Sequence, residues 1–298
     1  SVYAEAMVIA LIPALAAALV RLVRSDHLDR ATIALAVGLL VAITGAKPSM
    51  ALVAPLFVGV VVLARRSQFK LIPAATAMVG ALALSLFSFT AIADPTFTEW
   101  NTYNLAFTVV LPESDDPRAA LIDMGVEARS ARELERFVGV PFGPEVTEAW
   151  DEPPLTAFRE AGRPAVLRAL ATQPSTWVAM VRRGASTLGD LRLDYLANHV
   201  GSPLPNNQPR LADRPHPADA ALGPLAATWW LLPIAWVSLT VWLARRLWLA
   251  ARRRPSPAAR AALALFAVLS ASTQTVLALG DGYYELAKHL VVAGHLTA

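Results

Sequence analysis

The chain has 298 residues, 55% of them apolar and only 16% charged, and a mean hydropathy of +0.46. Both the apolar excess and the shortage of charge lie outside the balance of ordinary globular domains, which disfavours a soluble protein. The formal net charge is a modest +3, and with no cysteine the chain makes no disulfides and no cysteine-ligated metal site.

In chain order, the first apolar run begins almost at Ser1, without the charged leader and cleavage site of a signal peptide. A new apolar run opens at Leu290, so the chain reads as an internal stretch of a larger membrane protein. A bilayer core about 30 Å thick takes about 20 apolar helical residues to cross. Six stretches reach or approach that length: Ala6 to Val20, Ala31 to Ala46, Met50 to Ala64, Leu71 to Ala93, Leu222 to Leu243 and Ala261 to Leu279. The second and third are short, and a buried helical hairpin is their rival reading. Pro13, Pro55, Pro73 and Pro233 within the runs are tolerated where neighbouring helices satisfy the freed backbone groups.

Orientation follows from the basic residues, because short cytoplasmic loops carry the Lys/Arg excess. Arg21, Arg24 and Arg30, then Arg65, Arg66 and Lys70, then Arg245, Arg246, Arg252, Arg253, Arg254 and Arg260 fall in alternate loops, and the opposite short connections hold only Lys47 and Lys288. The first set is expected inside. The expected architecture is an all-α integral membrane protein: a polytopic transmembrane helix bundle carrying a mainly helical extracytoplasmic domain. Its divisions are residues 1–93 (four spans), 94–221 (the outer domain) and 222–298 (two spans and the start of a third).

The outer segment holds eighteen acidic residues against twelve arginines. A nucleic-acid partner, which requires a clustered basic face, is therefore not expected; the inner arginines suit topology and anionic lipid head groups. Within the segment, Asp116 followed by Pro117 predicts an N-capped helix through Met124, stopped by Gly125. Further helices are expected over Arg129 to Val138, Pro164 to Thr172 and Ser175 to Leu188, the last two lying along the membrane surface or inside the domain. Gly201 to Pro217 is rich in proline and asparagine and reads as an irregular return to the membrane. Trp100-Asn101-Thr102-Tyr103-Asn104 reads as an interfacial aromatic belt, with a sugar-binding surface as the alternative.

Ionisable residues at membrane-helix ends are costly unless used. Tyr3 and Glu5, Lys47, and the group Asp281, Glu285, Lys288 and His289 all fall at ends assigned to the outer side. Glu285 stands i, i+3 from Lys288 and i, i+4 from His289, so a continuing helix carries all three on one face. A cationic face beside a carboxylate suits a phosphate-bearing substrate; a helix-end salt bridge is the plain alternative, and for Lys47 it is snorkelling to the head groups. One Glu and one His fall short of the three ligands a zinc site needs, so ligand spacing supports no metal and the cofactor is left unknown. No Gly-rich phosphate loop or nucleophile elbow is present.

The chain resembles the membrane-embedded glycosyltransferases of the GT-C class, and more closely a bacterial group of polytopic glycan-biosynthesis proteins of that type. The resemblance is carried by Ser1-Val2-Tyr3-Ala4-Glu5, Ala46-Lys47-Pro48, Tyr103-Asn104-Leu105-Ala106-Phe107 with Leu111-Pro112 and Asp116-Pro117, and Leu279-Gly280-Asp281-Gly282 leading to Glu285 and Lys288-His289. It implies a polyprenyl-phosphate sugar donor and chemistry on the outer face of the bacterial plasma membrane. It implies phosphate contact by Lys47, Lys288 and His289, with Tyr3 and Asp281 in the substrate site. Glu5 and Glu285 are then the candidate catalytic carboxylates, although the early outer loop that carries such a family's acidic base would precede Ser1. The implied partners are the lipid-linked sugar and membrane lipids; sugar, acceptor and oligomeric state are open. The alternative is a non-enzymatic transporter or assembly scaffold for lipid-linked glycans. Such a protein more often places polar residues at mid-span, where Thr76, Ser85, Gln274 and Thr275 stand here.

Overall fold

A computed structural model of the chain describes residues 2–25, 27–66, 71–88, 90, 95–188, 228–251 and 255–280, together with positions 282, 290 and 293. Among the described residues every regular element is helical. In chain order these are α1 (Val2–Arg24), α2 (Arg30–Ala46), a 3₁₀ turn (Pro48–Met50), α3 (Val53–Ala64), α4 (Leu71–Phe87) and α5 (Pro95–Asn104). A π-helical stretch (Leu105–Val110), α6 (Pro117–Asp123), α7 (Ala128–Leu134), a 3₁₀ turn (Glu135–Phe137) and α8 (Pro144–Glu148) follow. The last four are α9 (Pro153–Thr172), α10 (Pro174–Leu188), α11 (Leu231–Ala250) and α12 (Pro255–Leu279).

Two helices are long and apolar enough to cross a membrane, over Ala6–Arg24 in α1 and Pro257–Leu279 in α12. The expected second, third and fourth spans appear as shorter apolar helices, Arg30–Ala46, Val53–Ala64 and Ile72–Phe87. The difference is one of length: at 1.5 Å per residue, a helix the size of α3 rises only about 18 Å. The expected fifth span, Leu222 to Leu243, lies partly outside the described residues, and α11 runs on to Ala250.

Helices α1, α2, α3, α4, α11 and α12 share one apolar core, with Leu15, Leu19, Ile43, Phe57, Leu247 and Phe266 buried in it. Long exposed apolar side chains, among them Val37, Val41, Ile72, Val79, Val237 and Val276, face away from that core. An apolar outer surface of this kind suits contact with lipid.

Hydrogen bonds show which helix ends lie together. At one end the guanidinium of Arg65, after α3, donates through Nη1 to the carbonyls of Leu22 and Ser25 at the close of α1. Arg66 donates to the Trp248 carbonyl of α11 and stacks on its indole. At the opposite end Ser85 of α4 donates to the Ala51 carbonyl at 2.6 Å, and Gln274 of α12 donates through Nε2 to the Ser49 carbonyl at 2.9 Å. Arg21, Arg24, Arg65 and Arg66 therefore lie at one end of the bundle and Lys47 at the other.

The central segment from α5 to α10 has a second core, built on Tyr103, Phe107, Phe137 and Phe158. It includes Leu232 at the start of α11 and Leu279 at the close of α12. The segment is thereby seated on the Lys47 end of the bundle. Asp116 caps α6 as expected, accepting the Ala119 N–H at 2.9 Å, and Gly125 terminates it with a φ of 96°. The helix expected from Pro164 is present, but it follows a second helical stretch from Pro153, the two joined by a kink at Gly162 (φ 70°, ψ 177°).

Candidate functional site

The junction between the bundle and the central segment carries Lys47, the one sequence-derived candidate whose side chain lies among the described residues, and its geometry starts there. This residue ends α2 in an extended conformation (φ −149°, ψ 116°), because Pro48 disfavours helix in the residue before it. Its carbonyl accepts the Met50 N–H at 2.8 Å, closing the tight turn. Gln274 and Ser85 fix the same turn through Ser49 and Ala51, so the half-buried Lys47 is carried on a backbone anchored at two points. Gln274 is 2% exposed, and this bond to a loop carbonyl explains its position without a transport role.

One turn beyond Gln274, α12 ends at Leu279 and the chain enters Gly280-Asp281-Gly282. Gly282 has a φ of +90°, a region open to glycine but strained for other residues. A Cβ added there would lie 2.7 Å from the carbonyl carbon of Asn104 and 2.8 Å from its Cβ. The second glycine of the Gly-Asp-Gly run is thus what allows the end of α12 to lie against α5. Arg163, just past the Gly162 kink, donates to the Gly280 carbonyl at 3.3 Å and ties α9 to the same corner.

Asn104 is the polar centre of this corner. Its Oδ1 accepts the Phe142 N–H at 2.8 Å, while its carbonyl accepts the Thr108 hydroxyl at 2.6 Å. It is 4% exposed and Tyr103 is 0% exposed. The Tyr103 hydroxyl donates to the Val140 carbonyl at 3.1 Å, and its ring stacks on Phe107. Burial in this apolar surround, and secondarily the nearby Glu145 charge, push the tyrosine above its ordinary pKa. Trp100 stacks on Phe142 at 4.9 Å. Both expectations for Trp100 to Asn104 are therefore corrected at Tyr103 and Asn104: neither residue lies in an interfacial belt or on a sugar-binding surface. Tyr103 joins the aromatic core of the central segment because its ring gains more from mutual burial than from half exposure, and Asn104 is buried beside it with its side-chain oxygen satisfied by the Phe142 N–H.

The π-helical stretch explains the Leu111-Pro112 pair. The Leu111 N–H bonds to the Ala106 carbonyl, five residues back, at 2.9 Å. The next bond in that register would run from residue 112 to Phe107, but proline has no N–H. The Gly139 N–H fills the gap, donating to the Phe107 carbonyl at 2.7 Å. The short motif is thus a packing device that brings the 139–142 loop onto Asn104.

Among the other sequence-derived candidates, Tyr3 and Glu5 belong to the first turns of α1, which packs beside both α2 and α12. Asp281, Glu285, Lys288 and His289 lie outside the described residues. Among the described residues no three His, Asp or Glu side chains gather as a metal site. Sequence reading missed Asn104 and Arg163 as residues that join the segment to the bundle. The pair of glycines in Leu279-Gly280-Asp281-Gly282 was the available signal, since such a pair marks close approach of another backbone.

No curated protein and no solved structure matches the chain. Residues 1–137 match the family model described as the YfdI N-terminal transmembrane domain, a stretch that takes in α1 to α4 and the central segment as far as Phe137. With two helices of spanning length and an apolar bundle surface beside that match, the chain is a membrane protein with transmembrane helices.

Proposed function

We propose that the chain belongs to a bacterial membrane glycosyltransferase of GT-C-like type, which moves a sugar from a polyprenyl-phosphate donor to an acceptor on the outer face. The observation that carries this reading is the junction itself: the Lys47 turn, the end of α12 and the Asn104 corner are tied together at the end of the bundle away from the arginine-rich loops. In this reading that end faces outward, and the central segment covers it. Lys47 supplies positive charge to a lipid-linked phosphate at the membrane surface, with Lys288 and His289 completing the cation set and Tyr3 and Asp281 lining the substrate side. A carboxylate, Glu5 or Glu285, takes the proton of the acceptor hydroxyl as that oxygen bonds to the anomeric carbon. The bond from that carbon to the phosphate oxygen breaks, and the polyprenyl phosphate leaves as an anion held by the lysines.

The test is transfer from a polyprenyl-phosphate sugar by the full-length protein and its Lys47→Ala and Lys288→Ala variants, at matched expression and folding. Loss of a phosphate-contacting cation lowers transfer by about tenfold or more. Activity equal to the parent in both variants removes the phosphate assignment. The rival transporter reading would more often show broken helices and mid-span polar groups, and here Ser85 and Gln274 bond to loop backbone while Thr275 bonds within its own helix.

A further inference from the structure

The turn that closes α12 is held from several sides. The Gly280 N–H continues the helix by bonding to the Val276 carbonyl at 3.0 Å, and the Gly282 N–H folds the chain back onto the Leu279 carbonyl at 3.2 Å. Gly282 packs so closely on Asn104 of α5 that a Cβ has no room. The Gly280 carbonyl, at the negative end of the helix, accepts Nη2 of Arg163 at 3.3 Å. Contacts from α12 itself, α5 and α9 thus fix the backbone on both sides of position 281.

Arg163 owes its place to the break in α9. Gly162 has a φ of 70° and a ψ of 177°, a combination open essentially to glycine, and Pro164 begins the second helical stretch. The half-buried Arg163 stands between them. One turn earlier, Arg159 serves the carboxylates of Glu99 and Asp151, an ordinary use of a surface arginine. Arg163 instead gives a guanidinium to the last turn of a 25-residue helix. A cap for α12 accounts for the charge. It does not account for the glycine-only break that delivers it, nor for the contact of Asn104 with the next glycine, both directed at one three-residue turn.

We infer that Arg163 is a positioning residue: through the Gly280 carbonyl it fixes the turn from which Asp281 departs, and so sets the place of Asp281 against a substrate held at Lys47. The catalytic part of this role rests on the transferase reading above; the clamp on the turn does not. Because Arg163 acts through backbone and not on the donor phosphate, its loss lowers turnover rather than donor binding.

The experiment compares the full-length protein with its Arg163→Ala, Arg163→Lys and Arg159→Gln variants in two readouts. Hydrogen exchange followed by mass spectrometry reads the amides of Gly280 and Gly282, and steady-state transfer from a polyprenyl-phosphate sugar gives kcat and the donor KM. Arg163→Ala is expected to speed exchange at the turn by about tenfold. It lowers kcat by about tenfold to a hundredfold, the cost of a misplacement near 1 Å, with the donor KM unchanged. Arg163→Lys keeps a cationic donor, recovers part of both losses and covers the case in which the alanine variant fails to fold. Arg159→Gln, which breaks the ion pairs one turn earlier, changes neither readout. Faster exchange with kcat intact is the mark of a plain helix cap and overturns the inference. So do unchanged exchange in Arg163→Ala, a rise in donor KM in place of the fall in kcat, or equal effects in Arg159→Gln. A parent without transfer removes the transferase reading and the catalytic part of the inference with it, and exchange alone then decides the clamp.

Discussion

Replacing Gly282 by alanine probes the joint between the bundle and the central segment directly. The residue sits at φ +90°, and a Cβ there would stand 2.7 Å from the carbonyl carbon, 2.8 Å from Cβ and 2.9 Å from the carbonyl oxygen of Asn104. Two costs combine. A left-handed backbone costs an L-residue about 1–2 kcal/mol. Forcing a methyl against a neighbour that cannot yield costs about 1–3 kcal/mol more. The neighbour is backbone at the start of the π-helical stretch, and its side chain is committed to Phe142, so relief by a rotamer change is closed. Gly282→Ala is expected to destabilise the protein by about 2–5 kcal/mol from those terms. Gly80→Ala in α4, where nothing lies within 4 Å of the added carbon, is the reference and should lose nothing. Thermal unfolding of both variants in detergent, followed by tryptophan fluorescence, gives the comparison. Equal melting of Gly282→Ala and the parent would refute the close approach of the α12 end to Asn104.

Three further outcomes follow from the same geometry. Gln274→Leu leaves the part-buried Ser49 carbonyl without its donor, a loss of about 1 kcal/mol; protease sensitivity of the Lys47 turn should rise, and unchanged cleavage would count against the anchor. Tyr103→Phe removes one hydroxyl bond to Val140, costing about 1 kcal/mol in the same melting assay, whereas Tyr103→Ala, which also empties the aromatic core, costs about 3–5 kcal/mol. Because the folded-state pKa of Tyr103 is raised, the folded protein holds that proton more tightly than the unfolded chain does. The stability it contributes is fully present below the ordinary tyrosine value of 10.0 and is lost as pH rises through and beyond it. The melting difference between the parent and Tyr103→Phe should shrink or reverse between about pH 9 and 11, where only the parent can lose that proton; a constant difference would argue against burial of the hydroxyl.

The sequence by itself determined the class of the molecule and the sorting of its helix ends. Hydropathy is a sum over neighbours along the chain, so apolar runs identify α1 and α12, and the arginines at Arg65 and Arg66 mark their end of the bundle without knowledge of any contact. Local capping chemistry was equally legible: Asp116, Pro117 and Gly125 bound α6 because each acts within one turn of its own position. The failures have a common cause. Trp100 to Asn104 reads as a surface in one dimension, since nothing near it in sequence tells an aromatic belt from an aromatic core. Only Phe137, Phe142, Trp150 and Phe158, folded back onto Tyr103 and its neighbours, decide the matter. Span lengths were likewise overestimated where apolar residues continue past a helix end into a buried turn, as at Met50 and Ala51. The joint of Gly282 with Asn104 and the bond from Gln274 to Ser49 link residues far apart in the chain. Tertiary structure alone decides such pairings, because each partner is chosen by shape and by the need to satisfy a buried polar group, and neither requirement leaves a periodic trace in the sequence.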